Sequence, residues 1–211
     1  MLTLTFVRHG QTDCSLGNHF CGSSDVPLNK TGLEMAEALG AAYASEPWAA
    51  IYASPLLRAR QTAEPLARRL GQAVQIEDGL REISYGDWEG LVETEIEQLY
   101  PAEFRAWSTD PARAAPPGGE TAVQIADRAL QAVRSIRDRH PDGHVLAVAH
   151  KATIRIVVCA LLGIDLCLYR ARVAQEVGAA TTFQFKDAGP LLLTLNDVSL
   201  LPPHLRHAGG T

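Results

Sequence analysis

The chain has 211 residues, a formal net charge of -5, 46% apolar residues and 20% charged ones. That acidic balance argues against a nucleic-acid binder, which is normally basic, and the apolar share suits a globular chain with a sizeable core. No apolar run reaches the roughly 18 residues that span a bilayer, and no basic segment precedes the apolar N-terminal stretch, so neither a membrane partner nor a secretory leader is expected.

In chain order, strand and helix signals alternate. LTLTFV (2–7) is short and apolar with β-branched residues, the pattern of a strand buried on both faces. KTGLEMAEALGAAYAS (30–45) reads as a helix, with Leu33, Ala36, Leu39 or Gly40, and Tyr43 on its apolar stripe. A strand at 49–54, a helix from Pro55 to Leu70 and a strand at 73–77 follow. Residues 83–91 are irregular and lead into a helix over 92–107 that Pro101 breaks. After a Pro/Gly-rich loop (109–120) come a long helix (121–139), the apolar strand HVLAVAH (144–150), a helix (151–163) and two β-rich runs at 181–185 and 191–196. The expected architecture is α/β: one domain over residues 1–211, with a mostly parallel sheet covered by helices on both faces. A helical insertion over about 92–118 and a loose tail over about 202–211 complete it. Cys14, Cys21, Cys159 and Cys167 form no C-x-x-C pair, so they read as reduced thiols of a cytoplasmic protein rather than zinc ligands.

In such sheets ligands bind beyond the carboxyl ends of the strands. The first strand ends in Arg8 and His9, and the second in Ser54 and Pro55 with Arg58 one helical turn on. The third leads to Arg81 and Glu82, and the fourth ends in His150. Taken singly, each has an ordinary reading: Arg58 and Arg60 beside Arg68 and Arg69 could be a solvated helix face, and Glu82 a surface acid. Four coincidences on one edge are harder to accept. Guanidinium forks match phosphate oxygens, and fixed cations stabilise a transferring phosphoryl group. A neutral imidazole is a competent nucleophile toward phosphorus, neighbouring guanidinium charge keeps it neutral, and a carboxyl group can protonate the leaving alkoxide. The set points to phosphoryl transfer through a phosphohistidine, with no metal and no cofactor.

VRHGQT (7–12), DVPLNKTG (25–32), SPLLRARQTA (54–63), LREISYGDWEG (80–90), PPGGE (116–120) and VAHKATIR (148–155) occur in an order that resembles the histidine phosphatase superfamily, the phosphoglycerate-mutase-like clan. The resemblance implies a Rossmann-like three-layer α/β/α sandwich, His9 as the phosphorylated nucleophile, Arg8, Arg58 and His150 as the phosphate pocket, and Glu82 as the proton donor. It places Gln11 and Thr12 near the pocket. Cys14-Ser15 stand where members often have Trp-Asn, which leaves Ser15 a single hydrogen bond to offer a phosphate. Cys21, where Gln is common, sits beside Gly22 on the rim, either as an oxidisable thiol or as an inert one. Lys151-Ala152 replace a common Gly-Gly, so Lys151 is either a solvated helix start or a group that favours substrates with a second anion.

The expected activity is a metal-independent phosphomonoesterase acting on a small phosphorylated metabolite. The alternatives are a cofactor-dependent phosphoglycerate mutase and a non-catalytic phospholigand-binding protein. The segment from Arg81 to Gly90 has the form common among phosphatases rather than mutases. Tyr100, Phe104 and Trp107 either line a lid or form helix core. Family members occur as monomers, dimers and larger assemblies, so a homodimer is among the expected forms.

Overall fold

The computed structural model describes residues 1–206 and 208–210. Its six-stranded sheet runs β3-β2-β4-β1-β5-β6. The strands are β1 (Leu2–Arg8), β2 (Trp48–Ala53), β3 (Val74–Ile76), β4 (Gly143–Ala149), β5 (Ala180–Lys186) and β6 (Gly189–Asp197). The first four are parallel, and the β5–β6 hairpin adds antiparallel to β1. β1 and β4 lie at the centre, which is why both are apolar on both faces.

Helices cover both faces of the sheet. On one side α6 (Ala122–Arg139) and α7 (Lys151–Leu162) bury Ile125, Ala129, Val133, Ile154 and Val158 against Phe6 and Tyr52. On the other side α2 (Lys30–Ala42) and α3 (Leu57–Leu70) bury Met35, Leu39, Ala63 and Leu66 against Val7, Ile51 and Val148. The expected three layers are therefore present. Local chemistry sets their ends: Asn29 caps α2, Thr121 and Gln124 form a capping box on α6, and left-handed Gly71 and Gly163 terminate α3 and α7. The buried face of α2 holds the expected Ala36, Leu39, Gly40 and Tyr43, but Leu33 is 48% exposed, and Gly32 and Met35 face inward instead. A Cβ on Gly10 would lie 2.6 Å from the Gly32 carbonyl oxygen, so two glycines let α2 seat against the end of β1 and thereby fix its rotation.

Pro101 splits the insertion into α4 (Glu93–Leu99) and α5 (Pro101–Thr109), the second starting on that proline. Trp88, Ile96 and Trp107 are its buried centre, ringed by Phe20, Tyr85, Tyr100 and Phe104. Trp88 and Trp107 meet edge to face, with centroids 5.4 Å apart. Two short helices were not foreseen, α1 (Asp13–Leu16) and α8 (Tyr169–Arg172).

Two expectations are corrected. Cys14 and Cys21 form a disulfide with Cα atoms 6.3 Å apart, while Cys159 and Cys167 remain thiols. Thr12 caps α1, and the turn after it brings the two cysteines together; a six-residue gap carries no such signal in the sequence. The tail is not loose where described. Leu201 and Leu205 are buried beside Val177, and Gln11 Nε2 donates to the carbonyls of Ala208 (2.7 Å) and Gly209 (2.9 Å). His207 and Thr211, part of the same expectation, lie outside the described residues. No helix among the described residues is long and apolar enough to cross a membrane.

Candidate active site

Beyond the carboxyl ends of the parallel strands lies a cavity of about 900 Å³ whose lining includes Arg8, His9, Arg58, Glu82 and Lys151. His9 is only 5% exposed, and its Nδ1 lies 2.7 Å from its neighbour's carbonyl, on Gly10. A carbonyl only accepts, so Nδ1 carries the proton and the lone pair of the neutral ring is on Nε2. Burial, then the charges of Arg58 and Arg8, hold this imidazole well below its ordinary pKa, against the Gly10 hydrogen bond. A neutral buried ring with a fixed tautomer is the form a nucleophile requires.

The guanidinium of Arg8 is 3% exposed, donates from Nη1 to the Gln175 carbonyl (2.8 Å) and the Gly210 carbonyl (3.2 Å), and is lowered by burial to about 10. Arg58, fully buried on the first turn of α3, donates from Nη1 to the Ser24 carbonyl (2.7 Å) and from Nη2 to the Gly22 carbonyl (2.8 Å). A Cβ on Gly22 would meet the Ile83 carbonyl oxygen at 1.7 Å, so only glycine lets this loop reach Arg58.

Glu82 is held by the start of α7. Its Oε1 accepts from Ile83 N (2.9 Å), Thr153 N (3.2 Å) and Thr153 Oγ1 (3.2 Å), and its Oε2 accepts from Ala152 N (3.1 Å). Ala152 supplies this bond from its backbone, so the replacement of Gly-Gly by Lys-Ala leaves the anchor intact. Oε2, with a single donor, is the oxygen with room for another partner.

His150 is placed differently from the expectation. Arg58 Nε donates to its Nδ1 (3.2 Å), so its own proton is on Nε2 and faces Ser54 Oγ (2.7 Å). With both nitrogens engaged it stands behind His9, ring centroids 5.1 Å apart, and outside the cavity lining. Burial and the Arg58 charge keep it neutral too.

The remaining expected residues divide. Thr12, Ser15, Cys21 and Lys151 line the cavity, whereas Gln11 and Gly22 do not. The Ser15 hydroxyl donates to the Thr12 carbonyl (3.0 Å) and accepts from Thr12 N (3.0 Å), so its one proton is committed within α1 rather than offered to a phosphate. Gln11 instead holds the tail and accepts from Asn29 Nδ2 (2.9 Å). Arg81 turns away to pair with Asp78 and, at 3.5 Å, with Glu120.

Two further residues were missed because their partners are remote in sequence. Arg128 grips the loop that carries Glu82, donating to the carbonyls of Gly79, Arg81 and Glu82 while Glu120 pairs with it from Oε1 at 2.9 Å and Oε2 at 3.0 Å. Glu89 gathers donors from the loop behind Arg58: Gly22 N, the backbone and hydroxyl groups of Ser23 and Ser24, and Tyr85 N. Partial burial pushes its carboxyl up, and the bonds from Ser24, Tyr85 and Ser23 outweigh that, leaving it below the usual range. Glu89→Ala is expected to destabilise the fold by about 1–3 kcal/mol for each donor left buried and unpaired. Urea unfolding measures this, and a change under about 1 kcal/mol would show that water replaces the carboxylate without cost.

Comparison with known proteins places the chain in a family. A model of the histidine phosphatase superfamily (branch 1) matches residues 4–198. The chain is 32% identical over 166 residues to phosphoserine phosphatase 1 of Hydrogenobacter thermophilus, covering 79% of each chain. It is 38% identical over 170 residues to glucosyl-3-phosphoglycerate phosphatase of Mycolicibacterium vanbaalenii, covering 77% of this chain and 75% of that one. Among solved structures, Bacillus stearothermophilus YhfR superposes with a TM-score of 0.90 at 31% identity, over 96% of this chain and all of the other. With its motif blocks in family order and the fold to match, this chain belongs to the histidine phosphatase superfamily.

Proposed function

We propose that the protein is a metal-independent phosphomonoesterase that hydrolyses a small phosphorylated metabolite through a phosphohistidine on His9. The observation that carries this reading is the His9 ring, neutral and buried with its Nε2 lone pair available, in one cavity with Arg8, Arg58 and Glu82. In the first step Nε2 attacks phosphorus, the phosphorus–oxygen ester bond breaks, and the departing oxygen takes a proton from Glu82. The Gly10 carbonyl stabilises the positive charge that develops on the ring, and the two guanidinium groups stabilise the charge on the equatorial oxygens. In the second step water attacks the phosphohistidine and gives its proton to Glu82, and phosphate leaves with His9 restored. His150 acts here by orienting Arg58.

Relatives named for phosphoserine and glucosyl-3-phosphoglycerate support a small phosphorylated metabolite as the partner, and the net charge of -5 argues against nucleic acid. A membrane partner is not part of this reading. Such a substrate supports a cytoplasmic location, since ionised metabolites stay inside the membrane. A homodimer fits strand β6, which among the described residues ends the sheet and exposes Leu191, Leu193 and Leu195.

The test is phosphate release, in EDTA, from a panel of monoesters that includes phosphoserine, 3-phosphoglycerate, glucosyl-3-phosphoglycerate and α-ribazole phosphate. Release from at least one of them is expected. No release, with conversion of 3-phosphoglycerate to its 2-isomer when 2,3-bisphosphoglycerate is added, would make the protein a mutase instead.

A further inference from the structure

The catalytic cavity has a neighbour. A second cavity of about 610 Å³ adjoins it, and the residues common to both linings are Arg8, Lys151, Arg155, Arg170 and Ala171. Four cations therefore form the wall between the two, in a chain whose net charge is -5. Arg8 already belongs to the phosphate pocket, which leaves three others to explain.

Arg155 is a brace. Its Nε donates to the Tyr169 carbonyl (3.1 Å) and its Nη2 to the Arg170 carbonyl, tying α7 to α8. Arg170 lies over the Trp107 ring, 4.0 Å from its centroid, and meets Glu93 only at 3.8 Å. Lys151 differs from both, since among the described residues its ammonium makes no hydrogen bond and no ion pair. It is only partly exposed, and burial, followed by the charges of Arg8 and Arg155, lowers it to about 8. Crowding like charges while removing water from them is unfavourable. An anion placed among them relieves both costs, and the acids of the catalytic cavity do not serve. Glu82 is taken up by the start of α7, and the side chain of Glu93 is 60% exposed at the rim.

We propose that Lys151, with Arg170 and Arg155 around it, is a subsite for a second anionic group of the substrate. On this proposal, which rests on the phosphomonoesterase reading, the enzyme selects phosphomonoesters that also carry a carboxylate or a second phosphoryl group. The phosphate to be cleaved sits between Arg8, Arg58 and His9, and the second anion extends from it toward the wall shared by the two cavities. Lys151 follows His150 directly at the start of α7, so the same turn that orders Arg58 also delivers the subsite cation.

Binding to the His9→Ala protein, measured by calorimetry, tests this without turnover. The matched ligands are 3-phosphoglycerate and glycerol 3-phosphate, which differ in a carboxylate against a hydroxymethyl group. A second pair, glycerol 1,3-bisphosphate and glycerol 3-phosphate, tells a phosphoryl group from a carboxylate as the favoured anion. In at least one pair the ligand with two anions should bind about 10- to 100-fold more tightly, the range of one charge-assisted hydrogen bond. Adding Lys151→Met should remove most of that preference and Lys151→Arg should keep it, which separates a charge effect from a folding defect. Equal binding within both pairs, or a preference that survives Lys151→Met, overturns the subsite. Phosphate release by the unmodified protein reports on the activity separately. A preference at Lys151 in a protein that hydrolyses none of these esters would uphold the subsite and discard the phosphatase reading.

Discussion

Replacing His9 with alanine is expected to lower phosphomonoester turnover by about 10⁴- to 10⁶-fold, the usual cost of deleting a nucleophile that forms a covalent intermediate. The other imidazole of the lining, His19, is exposed to solvent rather than buried, and further groups are committed. The Cys14 and Cys21 sulfurs are joined, and the Ser15 hydroxyl already donates to Thr12. The Lys151 ammonium has no lone pair while protonated. The ring also packs beside His150 in a buried setting, so the variant leaves a small cavity at the end of β1. Steady-state kinetics with p-nitrophenyl phosphate and with the natural ester should be paired with a thermal melt, and with acid-labile phosphoenzyme trapping on the unmodified protein. Residual activity within about tenfold of the parent would remove His9 from the nucleophile role, because lost packing alone does not preserve covalent chemistry.

Glu82→Gln should separate two kinds of substrate. An alkyl phosphate leaves as a strongly basic alkoxide and needs a proton in the transition state, so its kcat should fall by about 10²- to 10⁴-fold. p-Nitrophenolate leaves without help, so its phosphate ester should lose far less. The comparison within one variant matters because glutamine also has a structural cost. Ile83 N, Ala152 N and Thr153 N all donate to the carboxylate, and an amide offers them only one accepting oxygen. A general loosening of the start of α7 would slow both esters alike. Equal losses would therefore leave Glu82 as an anchor of α7 and take the acid role from it.

The Glu89 and Lys151 experiments address a different level, the support of the phosphate pocket and its reach. Arg58 is held by the carbonyls of Gly22 and Ser24, whose own amide groups are held by Glu89, so a carboxylate 31 positions away in the chain sets a guanidinium of the proposed phosphate pocket. Lys151 is one residue past a strand-end histidine, and its meaning depends on Arg155 and Arg170, which arrive from α7 and α8.

By itself the sequence determined the layered fold and the edge where the chemistry sits. Apolar-run strands alternating with helical stripes pack as a covered, mostly parallel sheet. The strand that ends in Arg8 and His9, the turn to Arg58 and the apolar run to His150 are local patterns, readable because each lies within one element. Pro101 dividing two helices is local in the same sense. Tertiary structure decided the rest, because hydrogen bonds and close packing join residues that no sequence window contains. The rotation of α2 depends on Gly10 meeting Gly32, and even the Cys14–Cys21 bond, only seven positions apart, depends on the path of the turn after the Thr12 cap. The seating of the tail depends on Gln11 reaching Ala208, and the loop bearing Glu82 on Arg128 reaching three carbonyls at once. Even His150, at the strand end the sequence marks, turns both nitrogens to Ser54 and Arg58 rather than to the cavity. A buried polar atom must find a partner wherever the fold places one, and that search is three-dimensional.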